Sequence, residues 1–108
     1  MEKVFVYGTL KKGGRLNPYY MGKSTFIKED TVKGNLYTLG SYPAITEGKN
    51  DVPGEIFEMP EEDFENVKLM EESAGYETKI LKTKSNESVK VFVYMSKLDD
   101  RDLIDKWK

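Results

Sequence analysis

One stretch of this chain carries a clear helical repeat, and nearly everything else is short apolar runs cut by glycines and polar turns. That contrast narrows the possible folds more than any other feature. The helical stretch is Pro60–Ala74, PEEDFENVKLMEESA. At about 100° per residue, Phe64 and Val67 define its apolar face. Pro60 suits its first turn, Glu61, Glu62 and Asp63 suit the positive end of its dipole, and Gly75 is a natural stop. Around it the sequence predicts strands at Val4–Tyr7, Ser24–Lys28, Thr31–Tyr37, Val52–Glu58, Tyr76–Thr83 and Ser88–Met95, the last two joined by the turn Lys84–Glu87. Asn17-Pro18 starts a helical turn through Tyr20. Gly40–Gly48 reads as a loop, and Asp99–Lys108 as a short helix docking Leu103, Ile104 and Trp107. Many strands with one good helix predict an α+β fold: a small, mostly antiparallel, barrel-like or curled sheet with the helix packed on it. At 108 residues the chain has the length of one domain.

One residue of the helix conflicts with its own face. Glu71 lies seven positions after Phe64 and four after Val67, about 20° from Phe64 on the side of Val67. It therefore sits inside the stripe meant for the core, whereas Glu72 falls about 80° from Phe64 on the other flank. A carboxylate aimed inward is costly unless something uses it. A carboxyl whose pKa burial has raised is what proton transfer near neutral pH requires.

Composition says which chemistry is open. The chain has no cysteine and no histidine. Disulfides, thiol nucleophiles and Ser-His-Asp or Cys-His mechanisms are excluded, and a zinc site is argued against. No metal and no cofactor are expected, so proton chemistry must rest on Glu, Asp, Lys or Tyr. The formal net charge is −2 with both signs interspersed, which disfavours nucleic acid as a partner. There is no apolar run of membrane length and no signal-peptide pattern, so neither a membrane partner nor export is expected, and the location predicted is cytoplasmic.

Phosphate-loop resemblances fail on inspection. Gly8 and Gly13 have the right spacing, but Gly14 and Arg15 stand where Lys and Ser/Thr belong. Gly22-Lys23-Ser24 has the other end of the motif, with Asn17 in the first glycine position. Two elements survive beside Glu71. Tyr7-Gly8-Thr9-Leu10 is a strand stopping on glycine, where a ligand can approach the main chain and successive N–H groups can form an anion site. Tyr42-Pro43, Gly75-Tyr76 and Tyr94 offer rings with hydroxyls, suited to the wall of a small polar pocket.

Taken together these blocks resemble the gamma-glutamylcyclotransferase-like superfamily, in its small gamma-glutamylamine cyclotransferase or AIG2-like branch. VFVYGTL resembles the N-terminal signature. Val32–Tyr37 with Gly40-Ser41-Tyr42-Pro43-Ala44, then Val52-Pro53-Gly54-Glu55-Ile56-Phe57, then Lys68-Leu69-Met70-Glu71 with Gly75-Tyr76, resemble the following blocks in order. The cover runs from Met1 to about Tyr94. Three positions depart from the pattern. Lys68 stands where aspartate is common, Glu72 where glycine is common, and Thr78 where many members carry the arginine of Tyr-x-Arg, a difference that bears on substrate preference more than on fold.

The resemblance implies a barrel-like α+β fold of six to seven strands, in which Tyr7–Leu10 lines a cavity and the helix delivers Glu71 at the position of the family's catalytic glutamate. It also implies a small-molecule gamma-glutamyl substrate. The substrate's α-amino group would attack its own γ-carbonyl, giving 5-oxoproline and a free amine, with Glu71 moving the proton. Main-chain N–H groups of Gly8, Thr9 and Leu10 would hold the substrate carboxylate or the developing oxyanion. Tyr7, Tyr42, Tyr76 and Tyr94 would shape the pocket, Tyr76 foremost in bonding the substrate. Two alternatives stand beside this: a non-catalytic protein binding an amino-acid-like ligand in the same pocket, and an acyl hydrolase or transferase with Thr9 as nucleophile, which lacks a histidine to activate it.

Overall fold

The computed structural model describes residues 1–99, 102–105 and 107. Its elements, in order, are β1 (Glu2–Val6), α1 (Asn17–Tyr20), β2 (Thr25–Thr38), β3 (Pro43–Met59), α2 (Glu61–Ser73), β4 (Tyr76–Lys82), β5 (Ser88–Tyr94) and β6 (Leu103–Ile104). The fold is α+β, with the six strands in one sheet in the order β4-β5-β1-β3-β2-β6. Most neighbours are antiparallel, but β1 runs parallel to β5 at Val4 and Lys90. The sheet is strongly curled rather than closed. The far end of β3 also reaches β5, pairing Ile45 with Val93, while β4 and β6 remain as its two ends.

The apolar run Val4–Tyr7 is explained by this position. A strand at the centre of a curled sheet is buried on both faces, so it has no polar alternation. Val4 and Val6 join one core with Leu10, Phe57, Met59, Phe64, Val67 and Phe92, under α2. Phe5 and Tyr7 point the other way into a second core with Leu36, Ile45, Val52, Ile56 and Val91, inside the curl. Helix α2 buries Phe64 and Val67, the residues that define its apolar face. Phe64 stacks on Phe92 with ring centroids 5.9 Å apart.

Two expectations are corrected. Gly40–Gly48 is not a loop throughout: β3 begins at Pro43, and only a tight turn closed by Leu39 N–H on the Tyr42 carbonyl, with Gly40 at φ 83°, separates it from β2. The two strands expected in 24–37 are likewise one. The ladder between β2 and β3 supplies main-chain partners from Thr38 and Pro43 down to Thr25 and Glu58, so polar residues such as Glu29, Asp30 and Asp51 are held in strands that their own propensities do not favour. The register slips beyond Gly34, where Asn35 pairs with Thr46 and Gly34 with Asn50. The second correction concerns the tail. Leu103–Ile104 is a strand against Leu36 and Tyr37, not part of a helix, because the outer edge of β2 offers unpaired main-chain groups there. Ile104 packs on the inner core, and the Trp107 carbonyl accepts a hydrogen bond from Lys11 Nζ at 3.0 Å. The rest of that expected helix, at 100, 101, 106 and 108, lies outside the described residues. Among the described residues no helix is long and apolar enough to cross a membrane.

Candidate active site

The strand-end loop after β1 folds back over the sheet. Lys11 N–H donates to the Gly8 carbonyl at 3.0 Å, Leu16 N–H to the Thr9 carbonyl at 3.0 Å, and the Asn17 side-chain amide to the Leu10 carbonyl at 2.8 Å. Glu55 Oε1, on β3, accepts Lys12 N–H at 2.8 Å. The carbonyls of Gly8, Thr9 and Leu10 are thus all committed to holding the loop. Their N–H groups donate to no described residue. Glycine is required at position 8 for a reason different from ligand approach. A Cβ there would lie 2.9 Å from Pro43 Cδ and nearer still to Cγ, so the bare face of Gly8 is where Pro43 packs.

Between this loop and the carboxy-terminal end of α2 lies a cavity of about 390 Å³. All eight residues singled out in the sequence line it: Tyr7, Gly8, Thr9, Leu10, Tyr42, Glu71, Tyr76 and Tyr94. Pro43, which the sequence paired with Tyr42, also lines it, and so do Phe5, Val6, Leu16, Tyr20, Leu39, Met70, Ser73, Ala74 and Phe92, which the sequence reading did not place in the site. Ala74 carried a usable signal, since a residue three after Glu71 lies beside it on a helix. Leu16, Tyr20 and Leu39 carried none, because they reach the cavity only through the folding of their loops.

Glu71 is the one charged side chain among the described residues lining the cavity. It is half-buried, and no hydrogen bond or ion pair reaches its carboxyl from the described residues. Removal from water without a compensating partner pushes its pKa up to about 7. The tyrosines around it differ in what their hydroxyls do. Tyr7 is buried; its hydroxyl donates to the Phe92 carbonyl at 2.7 Å and accepts Ile45 N–H at 3.3 Å. Burial, then the neighbouring Tyr76 and Glu71, holds that phenol well above its ordinary range. Tyr76 donates to the Pro43 carbonyl at 2.6 Å, so only its acceptor lone pairs face a ligand. Its pKa is raised by burial and then by Glu71. Tyr94 meets Tyr76 edge-on at 5.1 Å, and Tyr42 stands 47% exposed at the mouth. Gly75, at φ 96°, ends α2 in the left-handed conformation and lets β4 begin at once, which brings Tyr76 back beside Glu71.

A small curled α+β sheet with a lined cavity, an unpaired carboxyl in its wall and a strand-end loop beside it has the features of a small-molecule site rather than of a macromolecular surface. The comparisons give the class a family. Residues 4–108 match the model of the family "Gamma-glutamyl cyclotransferase, AIG2-like", and the chain belongs to it. A Pyrococcus horikoshii protein provisionally named as a gamma-glutamylcyclotransferase is 33% identical over 82 residues, covering 76% of this chain and 70% of that protein. Its crystal structure superposes with a TM-score of 0.83 at 28% identity, over 97% of this chain and 86% of that one. The rat gamma-glutamylaminecyclotransferase is 27% identical over 117 residues, covering 87% of this chain and 77% of that protein. A Niallia circulans gamma-L-glutamyl-butirosin B gamma-glutamyl cyclotransferase is 34% identical over 77 residues, covering 69% of this chain and 49% of that protein. The chain is an enzyme of the gamma-glutamylcyclotransferase type.

Proposed function

We propose that the protein is a gamma-glutamylamine cyclotransferase in which Glu71 is the general acid and base. The observation that carries this reading is a lone carboxyl with a pKa near 7, in a cavity also lined by Gly8, Thr9 and Leu10, whose main-chain N–H groups donate to no described residue. The α-carboxylate of the glutamyl group sits against the N–H groups of Gly8, Thr9 and Leu10. Its α-ammonium faces Glu71. Ionised Glu71 removes a proton from the ammonium, and the freed amine attacks the γ-carbonyl. One C–N bond forms and the amide C–N bond breaks. Glu71 gives its proton to the departing nitrogen, then carries the second proton from the ring-closing nitrogen to the same amine, leaving 5-oxoproline, the product ammonium and Glu71 ionised again. Folding the glutamyl chain so that nitrogen meets carbonyl carbon at about 3–3.5 Å converts a slow cyclisation into a positioned one. The tyrosine rings and Phe92 supply the wall that holds that fold. Shielding by the same wall strengthens the interactions at the oxyanion. A small gamma-glutamyl metabolite of the cytoplasm is the substrate this reading requires.

The test is mass-spectrometric detection of 5-oxoproline from a panel of gamma-glutamyl amines and amino acids, with wild type and Glu71→Gln. The reading requires product from wild type and a loss of roughly 100- to 10,000-fold in the variant. Full turnover by Glu71→Gln overturns the assignment. Release of free glutamate in place of 5-oxoproline turns the reaction into a hydrolysis.

A further inference from the structure

We propose that Arg15 selects the leaving group, favouring amines that carry a carboxylate over their neutral counterparts. This rests on the cyclotransferase reading above and narrows its substrate class. Arg15 lies between two main-chain anchors: Gly14 N–H donates to the Lys11 carbonyl at 2.7 Å and Leu16 N–H to the Thr9 carbonyl at 3.0 Å. Its backbone is fixed while its side chain is exposed. The guanidinium lies over the Tyr42 ring, 5.2 Å from the centroid, and Tyr42 and Leu16 both line the cavity. It makes no ion pair with a described residue. A guanidinium stacked on a ring keeps its N–H edge free, and that edge is the part that matches a carboxylate.

The position matters because of where the leaving amine must go. With the glutamyl carboxylate on the buried N–H wall, the departing group points outward, past the more exposed lining residues. One side of that outlet is the end of α2, where Ser73 and Ala74 line the cavity, the last turn has no basic residue and Glu72 is exposed. Helix-terminal carbonyls and Glu72 make that side negative. The other side is Tyr42 with Arg15. A substituent carrying negative charge is attracted to the Arg15 side, and an uncharged one gains no such contact.

The experiment compares gamma-glutamyl-alanine with gamma-glutamyl-alaninamide, which differ only in the terminal carboxylate. Wild type should prefer the acid by about two- to fivefold in kcat/KM at low salt, the range of an exposed ion pair, with the difference carried in KM. The preference should shrink as salt is raised. Arg15→Gln should bring the ratio to about one, and Arg15→Lys should restore part of it. Equal rates for the two substrates in wild type, or an unchanged ratio in Arg15→Gln, overturns the inference while leaving the cyclotransferase reading intact. If neither substrate yields 5-oxoproline, calorimetric dissociation constants for the same pair decide. A preference for the acid that Arg15→Gln removes upholds the inference without the reaction, and equal or undetectable binding overturns it.

Discussion

At the scale of single residues, the role proposed for Glu71 ties activity to stability in opposite directions. Its pKa in the folded protein is about 7, against 4.5 for an ordinary glutamate. In the proposed mechanism the attacking amine loses a proton to ionised Glu71, so kcat/KM should fall as pH drops through about 7, and a pH–rate profile checks this. The sign for stability is the reverse. A raised carboxyl pKa means the folded protein holds the proton more tightly, so the contribution present below pH 4.5 is lost as pH rises through 7. Glu71→Gln removes the cost of the buried charge. It should stabilise the protein by about 1–3 kcal/mol at pH 8 and leave it nearly unchanged at pH 4, measured by denaturant unfolding at both values. Tyr7 behaves differently. Its hydroxyl serves two buried main-chain groups, Phe92 carbonyl and Ile45 N–H. Tyr7→Phe should therefore cost about 1–3 kcal/mol of stability, read in the same unfolding experiment, in addition to any effect on turnover.

At the scale of elements, two contacts decide how the site is assembled. Gly8 and Pro43 bring the end of β1 onto the start of β3, and Tyr76 fastens β4 to the same proline through its carbonyl. Gly8→Ala drives a Cβ into the Pro43 ring and should cost about 1–3 kcal/mol, with a loss of turnover beyond what the stability change explains. The hairpin of β4 and β5 is clamped on the far side from the cavity. Asp30 on β2 accepts hydrogen bonds from Ser85 and from Thr31 N–H, while Lys84 N–H donates to the Thr31 carbonyl at 2.8 Å. Burial pushes the Asp30 pKa up, but hydrogen bonds from Ser85, Thr83 and main-chain N–H groups outweigh it and hold the carboxyl at about 2. A depressed carboxyl pKa contributes stability above about pH 4 that is lost as pH falls towards 2. Asp30→Asn should flatten that part of the stability–pH curve with kcat at pH 8 little changed, since Asp30 is not among the cavity residues.

At the scale of the whole molecule, the curl of the sheet is what makes a cavity from these elements. The central strand has cores on both faces, one under α2 and one inside the curl, and the loop leaving its end closes over the sheet. β3 is long enough to pair with β1 at one end and β5 at the other, so Tyr42 and Pro43 at its start arrive beside Tyr7 and Gly8. Truncating the tail at Asp102 removes β6 and Ile104 from the edge of β2. It should lower the melting temperature and expose the Leu36–Tyr37 edge, seen as loss of amide-exchange protection there.

By itself the sequence determined whatever depends on spacing along one segment. The angle between Glu71, Phe64 and Val67 follows from helical geometry, the doubly buried β1 from an unbroken apolar run, and the end of α2 from a glycine able to adopt positive φ. The order of the family-like blocks belongs to the same level, and it pointed to the family before any contact was known. The tertiary structure alone decided what depends on residues far apart in the chain. Polar segments around Asp30 and Asp51 became strand because a ladder partner lay across from them, and Leu103–Ile104 became strand because an open edge was there. Glu71 acquired its raised pKa from the desolvating wall that the loops assembled around it, and Arg15 its place over Tyr42 from the turn that begins β3. Periodicity is a property of neighbours in sequence. Pairing, burial and desolvation are properties of neighbours in space, and the site is built from those.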